Sequence, residues 1–123
     1  MSEIFMAGPS VSKDDIKIVL DALENGWYGK KAYYYVEKFE KEFAEYHNRK
    51  YGLMTPNCTT ALHLLLKGLG IEDNDDVIAP ECTWIGSVAC IKYQRANCIF
   101  ADIDKDNWCL NLQTIKNAIT SKT

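Results

Sequence analysis

The most informative chemistry in the sequence lies at Asn57-Cys58-Thr59-Thr60, where an amide, a thiol and two hydroxyls stand between a short apolar run and a strongly apolar helical stretch. A helix beginning there presents unpaired backbone N–H groups and the positive end of its dipole, which together with two hydroxyls suit a phosphate. The same residues also read as an ordinary cap, since Asn57 and Thr59 are both types that satisfy a helix's first amides. They lack the glycine pattern of a P-loop or a dinucleotide fingerprint. A second group, Glu81-Cys82-Thr83-Trp84, puts an indole at the start of another helical stretch, where the ring either stacks on a flat cofactor or fills the core. Cys82 has no histidine nearby in sequence to activate it and reads as an inert thiol.

Other residues with chemical potential read as structural. Asp102-Ile103-Asp104-Lys105-Asp106 alternates acids after a strand, but without the central glycine and closing glutamate of a calcium loop it reads as a turn. His47 and His63 form no pair with a serine or cysteine, and His63 falls on an apolar helix where a satisfied structural histidine is expected. The five cysteines (Cys58, Cys82, Cys90, Cys98, Cys109) show no zinc or redox spacing, so no metal site is expected and free thiols are. Tyr33-Tyr34-Tyr35 reads equally as a stacking surface or as subunit interface.

The elements that must position these groups follow from patterning. Apolar residues make up 47% of the 123-residue chain and charged residues 25%, a soluble globular balance. The net charge of −3 with scattered lysines and arginines leaves no nucleic-acid footprint, and no run reaches the length of a membrane span. A cytoplasmic location is expected. Ser12 to Asp15 is a capping box, followed by Ile16, Val19, Leu20 and Leu23 at helical spacing, which predicts a helix over 13–25 closed by Gly26 at positive φ. Val36, Phe39, Phe43 and Tyr46 predict a second helix ending near His47-Asn48. Thereafter strands are expected at 51–55, 76–79 and 97–101 and helices at 60–69, 83–94 and 112–119. This gives a helical segment over 1–50 and a βαβαβ unit of parallel strands over 51–123. In such sheets ligands gather beyond the carboxyl ends of the strands, where residues 56–61, 80–85 and 102–106 fall. Three strands leave their faces partly uncovered, so a piece of a larger domain is expected.

Six ordered motifs then point to a family. Ala7-Gly8-Pro9, Asn25-Gly26-Trp27-Tyr28, Phe39-Glu40-Lys41-Glu42-Phe43-Ala44-Glu45-Tyr46, Thr59-Thr60-Ala61-Leu62-His63-Leu64, Asp76-Val77-Ile78-Ala79-Pro80 and Ala101-Asp102-Ile103-Asp104 resemble, in order and spacing, the DegT/DnrJ/EryC1/StrS sugar aminotransferases. The resemblance covers nearly the whole chain. It implies an α/β fold, the N-terminal part of the aspartate-aminotransferase-like (fold type I) large domain, with helices plus parallel strands. It implies a homodimer that uses pyridoxal phosphate (PLP) to move an amino group from glutamate to a nucleotide-linked keto-6-deoxy sugar, in surface polysaccharide (lipopolysaccharide, O-antigen) biosynthesis.

By that resemblance Cys58, Thr59 and Thr60 hold the cofactor phosphate and Trp84 stacks on the pyridine ring, while Trp27 and Tyr28 approach the substrate side. Many members carry glycine where this chain has Cys58, which makes close backbone approach to phosphate less assured. The family's Schiff-base lysine and its pyridine-pairing aspartate match no motif in these residues, so no catalytic residue is assigned and the 123 residues alone are expected to be inactive. Pro80-Glu81-Cys82-Thr83-Trp84-Ile85 and Asn107-Trp108-Cys109-Leu110 resemble the perosamine-type 4-amino-sugar synthases within the family. A sugar 3-dehydratase with histidine in the lysine position would look the same here. So would a non-catalytic remnant or interaction module of the fold, and a small flavodoxin-like domain ranks below these.

Overall fold

The computed structural model describes residues 8–123, so Ala7 of the first motif lies outside the described residues. These fall into two compact units, one running to Met54 and the other spanning Thr55–Thr123.

The first unit holds α1 (Lys13–Asn25), a 3-10 turn (Gly29–Lys31) and α2 (Tyr34–Tyr46). The capping box forms as expected: Ser12 Oγ accepts from the Asp15 amide at 3.2 Å, and the Asp15 carboxylate accepts from the Ser12 amide at 2.7 Å. That backbone donor, then the Ser12 hydroxyl, holds the Asp15 carboxyl below its ordinary range. Gly26 does not take the expected left-handed conformation; its φ is −92°. Glycine is demanded there by space, because a Cβ would lie 2.6 Å from the Ala22 carbonyl oxygen. The helices are tied where the Tyr35 hydroxyl donates to Asp21, whose other oxygen accepts from Asn25 at 2.8 Å. Residues 51–55 form no strand, contrary to the sequence pattern. Within this unit the Met54 amide donates to the Glu40 carboxylate at 2.7 Å, so a side chain of α2 takes an amide that a sheet neighbour would otherwise use.

The second unit contains α3 (Cys58–Gly68), β1 (Asp76–Pro80), α4 (Ile85–Tyr93), β2 (Asn97–Ala101) and α5 (Leu112–Ala118). β1 and β2 are parallel, with Asp76 opposite Asn97 and Pro80 opposite Ala101. The unit is thus a βαβ crossover preceded and followed by helices, with two strands where three were expected. Its core is Ala79, Val88, Cys90, Ile91 and Ala96, flanked by Leu62, Leu66, Ile71, Val77 and Cys98. Burial pushes the Cys98 thiol up from its ordinary value.

Several helix ends have a local cause. α3 stops in a Schellman motif: Gly70 takes φ +80°, its amide reaches the Lys67 carbonyl, and the Ile71 amide reaches the Leu66 carbonyl. Asn111 starts α5 by accepting from the Gln113 and Thr114 amides, both at 2.9 Å. α4 begins two residues later than the apolar pattern predicts, because Trp84 is extended (φ −70°, ψ 133°) and no capping side chain marks the start. The acids after β2 serve a turn as read from the sequence: the Asp104 side chain accepts from the Asp106 amide, and Ile103 bridges Leu110 antiparallel.

The start of β1 is latched by the chain after α5. The Asp76 amide donates to the Lys122 carbonyl at 3.0 Å, and its carboxylate accepts from Asn97 at 3.0 Å and from the Thr120 hydroxyl. The Thr120 hydroxyl first, then the Asn97 amide, holds the Asp76 carboxyl below its ordinary range. A carboxylate with a depressed folded-state pKa contributes stability that is present above its unfolded value of about 4 and is lost as pH falls through the lower folded value. Urea midpoints measured against pH should therefore separate wild type from Asp76→Asn most at neutral pH, and the two curves should converge below about pH 4. Parallel curves at all pH values would contradict the latch.

Candidate functional site

The second unit brings two of the residues singled out in the sequence to one point. Gly86 lies in the first turn of α4, and a Cβ built on it would meet the Thr59 hydroxyl oxygen at 2.6 Å and the Trp84 indole at 3.0 Å, at both Cδ1 and Nε1. Thr59 belongs to the first turn of α3 and Trp84 is the N-cap of α4, so the N-termini of the two helices meet here. Trp84 is 78% exposed, which removes the reading of its ring as core filling within this unit.

At α3 the Asn57 side chain caps the helix, accepting from the Thr60 amide at 2.9 Å and the Thr60 hydroxyl at 3.0 Å. Thr60 thus spends its amide and its hydroxyl proton on Asn57. Among the described residues nothing accepts from the amides of Cys58 and Thr59, and the Thr59 hydroxyl has no hydrogen-bond partner. Capping and phosphate binding therefore do not compete: the cap uses the third amide of the helix and leaves the first two, with a hydroxyl, available to an anion. Cys58 and Cys82 are exposed free thiols.

The remaining candidates sort cleanly. His63 packs edge-on against Tyr93 at 5.6 Å between ring centroids, and its carbonyl accepts from the Gln94 side chain, a structural arrangement. No cluster of His, Cys, Asp or Glu among the described residues can hold a metal. In the first unit Trp27 is 66% and Tyr28 90% exposed. Trp27 joins Val19, Leu23, Tyr33 and Val36 around an apolar hollow of about 350 Å³, and Tyr28 does not. Gly86 escaped the sequence reading; a glycine inside a helical apolar run was its only trace.

The comparisons with known proteins bear on this arrangement. A model of the DegT/DnrJ/EryC1/StrS aminotransferase family matches residues 9–123. The GDP-perosamine synthase of Escherichia coli O157:H7 is 40% identical over 115 residues, 94% of this chain and 31% of that protein. The GDP-perosamine synthase of Vibrio cholerae is 34% identical with the same coverage of each. Among solved structures, 3-amino-5-hydroxybenzoic acid synthase superposes with a TM-score of 0.86 at 28% identity, covering 100% of this chain and 32% of that one. Spr1654 of Streptococcus pneumoniae in its PLP form gives 0.84 at 27% identity, covering 99% and 31%.

The fold is accordingly that of the fold type I PLP-dependent aminotransferases, helices plus parallel strands from the N-terminal part of the large domain. The chain belongs to the DegT/DnrJ/EryC1/StrS aminotransferase family, whose cofactor is PLP. It spans about a third of the length of the relatives it matches.

The cap is open to a direct check. Asn57→Ala should lower the stability of the chain by about 1 kcal/mol, read from the urea midpoint, and should speed hydrogen exchange at the Thr60 amide. An unchanged Thr60 exchange rate would show that Asn57 does not cap.

Proposed function

We propose that the protein is a PLP-dependent aminotransferase that moves an amino group from glutamate to a nucleotide-linked keto-6-deoxy sugar in surface polysaccharide biosynthesis. It works in the cytoplasm as a homodimer; no described helix is long and apolar enough to cross a membrane. Residues 51–123, whose compact part is the unit Thr55–Thr123, are assigned to the first part of the cofactor-binding domain and residues 1–50 to the helical segment before it. The observation that carries the site is the meeting of the Thr59 hydroxyl and the Trp84 indole at Gly86, beside two unpaired helix amides. Family membership supports the reaction, and the two GDP-perosamine synthases favour a 4-amino-sugar product.

When bound, PLP would supply an aldehyde that takes up an amino group and a ring that stabilises negative charge at the carbon that loses a proton. The chain's own residues do the rest of the work assigned here. The Cys58 and Thr59 amides and the Thr59 hydroxyl would hold the phosphate as hydrogen-bond donors, with the α3 dipole adding to the attraction. Thr60 holds Asn57 in its capping position and so keeps those donors aimed. Trp84 would hold the flat face of the ring and exclude water from it. Trp27 and Tyr28 offer exposed aromatic surface to the sugar.

Equilibrium dialysis of the 123-residue chain against PLP tests this directly. Thr59→Ala and Trp84→Ala should each weaken binding about tenfold, since a lost charge-assisted hydrogen bond or stacking contact costs on the order of 1.4 kcal/mol. Trp84→Phe should lose less, because a ring remains. Equal affinity across all four proteins would remove these residues from the site. The 123 residues alone should yield no amino sugar from glutamate and a GDP-linked keto sugar, and turnover by them would refute the assignment of the covalent lysine elsewhere.

A further inference from the structure

We infer that Asn25 is a site of spontaneous deamidation, gated by the opening of the last turn of α1. The inference goes beyond the aminotransferase reading and does not rest on it.

The chain has eight asparagines, and only Asn25 is followed by glycine. The fold requires that pairing. A Cβ at 26 would lie 2.6 Å from the Ala22 carbonyl oxygen, so no side chain can stand there to shield the Gly26 nitrogen. In the reaction the Gly26 nitrogen gives its proton to hydroxide and attacks Cγ of Asn25, and the new C–N bond closes a cyclic imide. The side-chain nitrogen leaves as ammonia with a proton from water, which restores the hydroxide. Water then opens the ring at either carbonyl, giving aspartate at 25 or its isomer, whose backbone runs through the former side chain.

In the fold these groups are restrained. The Gly26 amide donates to the Ala22 carbonyl at 2.9 Å, which commits the attacking nitrogen to the helix, and Asn25 Nδ2 donates to Asp21 at 2.8 Å. Asp21 is itself held by the Tyr35 hydroxyl. The restraints are few, however. Asn25 is exposed, no residue of α1 is buried, and the last turn carries no basic side chain to answer the helix dipole. Such a turn opens at small free-energy cost, and modification proceeds at the intrinsic rate multiplied by the open fraction.

The products do not restore the turn. A carboxylate at 25 faces Asp21 one turn back, where an amide had donated, and it sits beside Glu24 at the negative end of the dipole. The isomer lengthens the backbone directly before Trp27 and Tyr28, the residues assigned to the substrate side. It also displaces the Gly26 carbonyl, which accepts from the Tyr33 amide at 3.3 Å and closes the loop that carries those rings.

The test follows the mass of tryptic peptide 18–30, in which Asn25 is the only asparagine, while the 123-residue chain stands in mildly alkaline buffer. In Glu24→Lys the corresponding peptide is 25–30. Asn25 should convert to the acid forms faster than any other asparagine, and faster in urea than in the fold. Native rates are divided by the rate of the same protein in urea, which removes effects of sequence on the intrinsic chemistry. On that scale Asp21→Ala, which frees the Asn25 side chain, should speed conversion about tenfold. Glu24→Lys, which breaks no contact and puts a cation at the helix C-terminus, should slow it about two- to fivefold. Conversion of Asn25 no faster than that of the other asparagines overturns the inference, as do scaled rates that neither substitution moves. Should Asp21→Ala lose the helical circular dichroism, Glu24→Lys decides: slower conversion supports the gate, and an unchanged rate overturns it.

Discussion

Burial of α4 is the constraint on which the second unit depends. The helix is apolar on every side, and Val88, Cys90 and Ile91 vanish from solvent among Ala79, Ala96 and the inward residues of α3. Each fully buried Val or Ile contributes about 1.5–3 kcal/mol, more than an exposed ion pair does. The four ion pairs among the described residues, such as Lys17 with Asp14 and Arg95 with Asp73, all involve well-exposed side chains and contribute little. Because α4 is held by its middle and C-terminal turns, its first turn is left to be placed by what it touches.

This division of labour explains how an apolar helix carries a polar site. The contacts that hold α4 lie beside the strands, whereas Trp84 and Ile85 follow the end of β1 with little burial and Gly86 is half-buried. α3 is arranged alike, with Leu62 and Leu66 on the core and Cys58 and Thr60 exposed. Two helices anchored at one end thus converge at the other. The donors of one and the ring of the other are brought together without any hydrogen bond between them.

Much of this was legible in sequence where the cause is local. The strands Asp76–Pro80 and Asn97–Ala101 follow from apolar runs bounded by turn residues, and the stop at Gly70 follows from glycine with an apolar residue after it. The α1 start was equally plain, because the capping box is written in four residues. Residues 51–55 were misread because an apolar run cannot reveal that Glu40 claims the Met54 amide. Gly26 was assigned to the right place for the wrong reason, since its crowding against Ala22 is a matter of packing. Within the candidate site, Thr59 and Trp84 were singled out by their places after apolar runs and by the family resemblance, but their meeting was not, because Gly86 lies 27 positions beyond Thr59 and only the fold joins them. Trp84 itself stood open between core and surface until its exposure was known.

The hydrogen bond from the Asp76 amide to the Lys122 carbonyl carries a consequence for the sheet as a whole. Successive residues of a strand direct their amides to opposite edges, and the Glu81 amide, reaching Ala101, points toward β2. Asp76 is on the other phase, so its bond to Lys122 occupies the first donor on the edge of β1 that β2 leaves free. Along that free edge the proline at 80 has no amide to give, so Ile78 carries the last amide that β1 presents there.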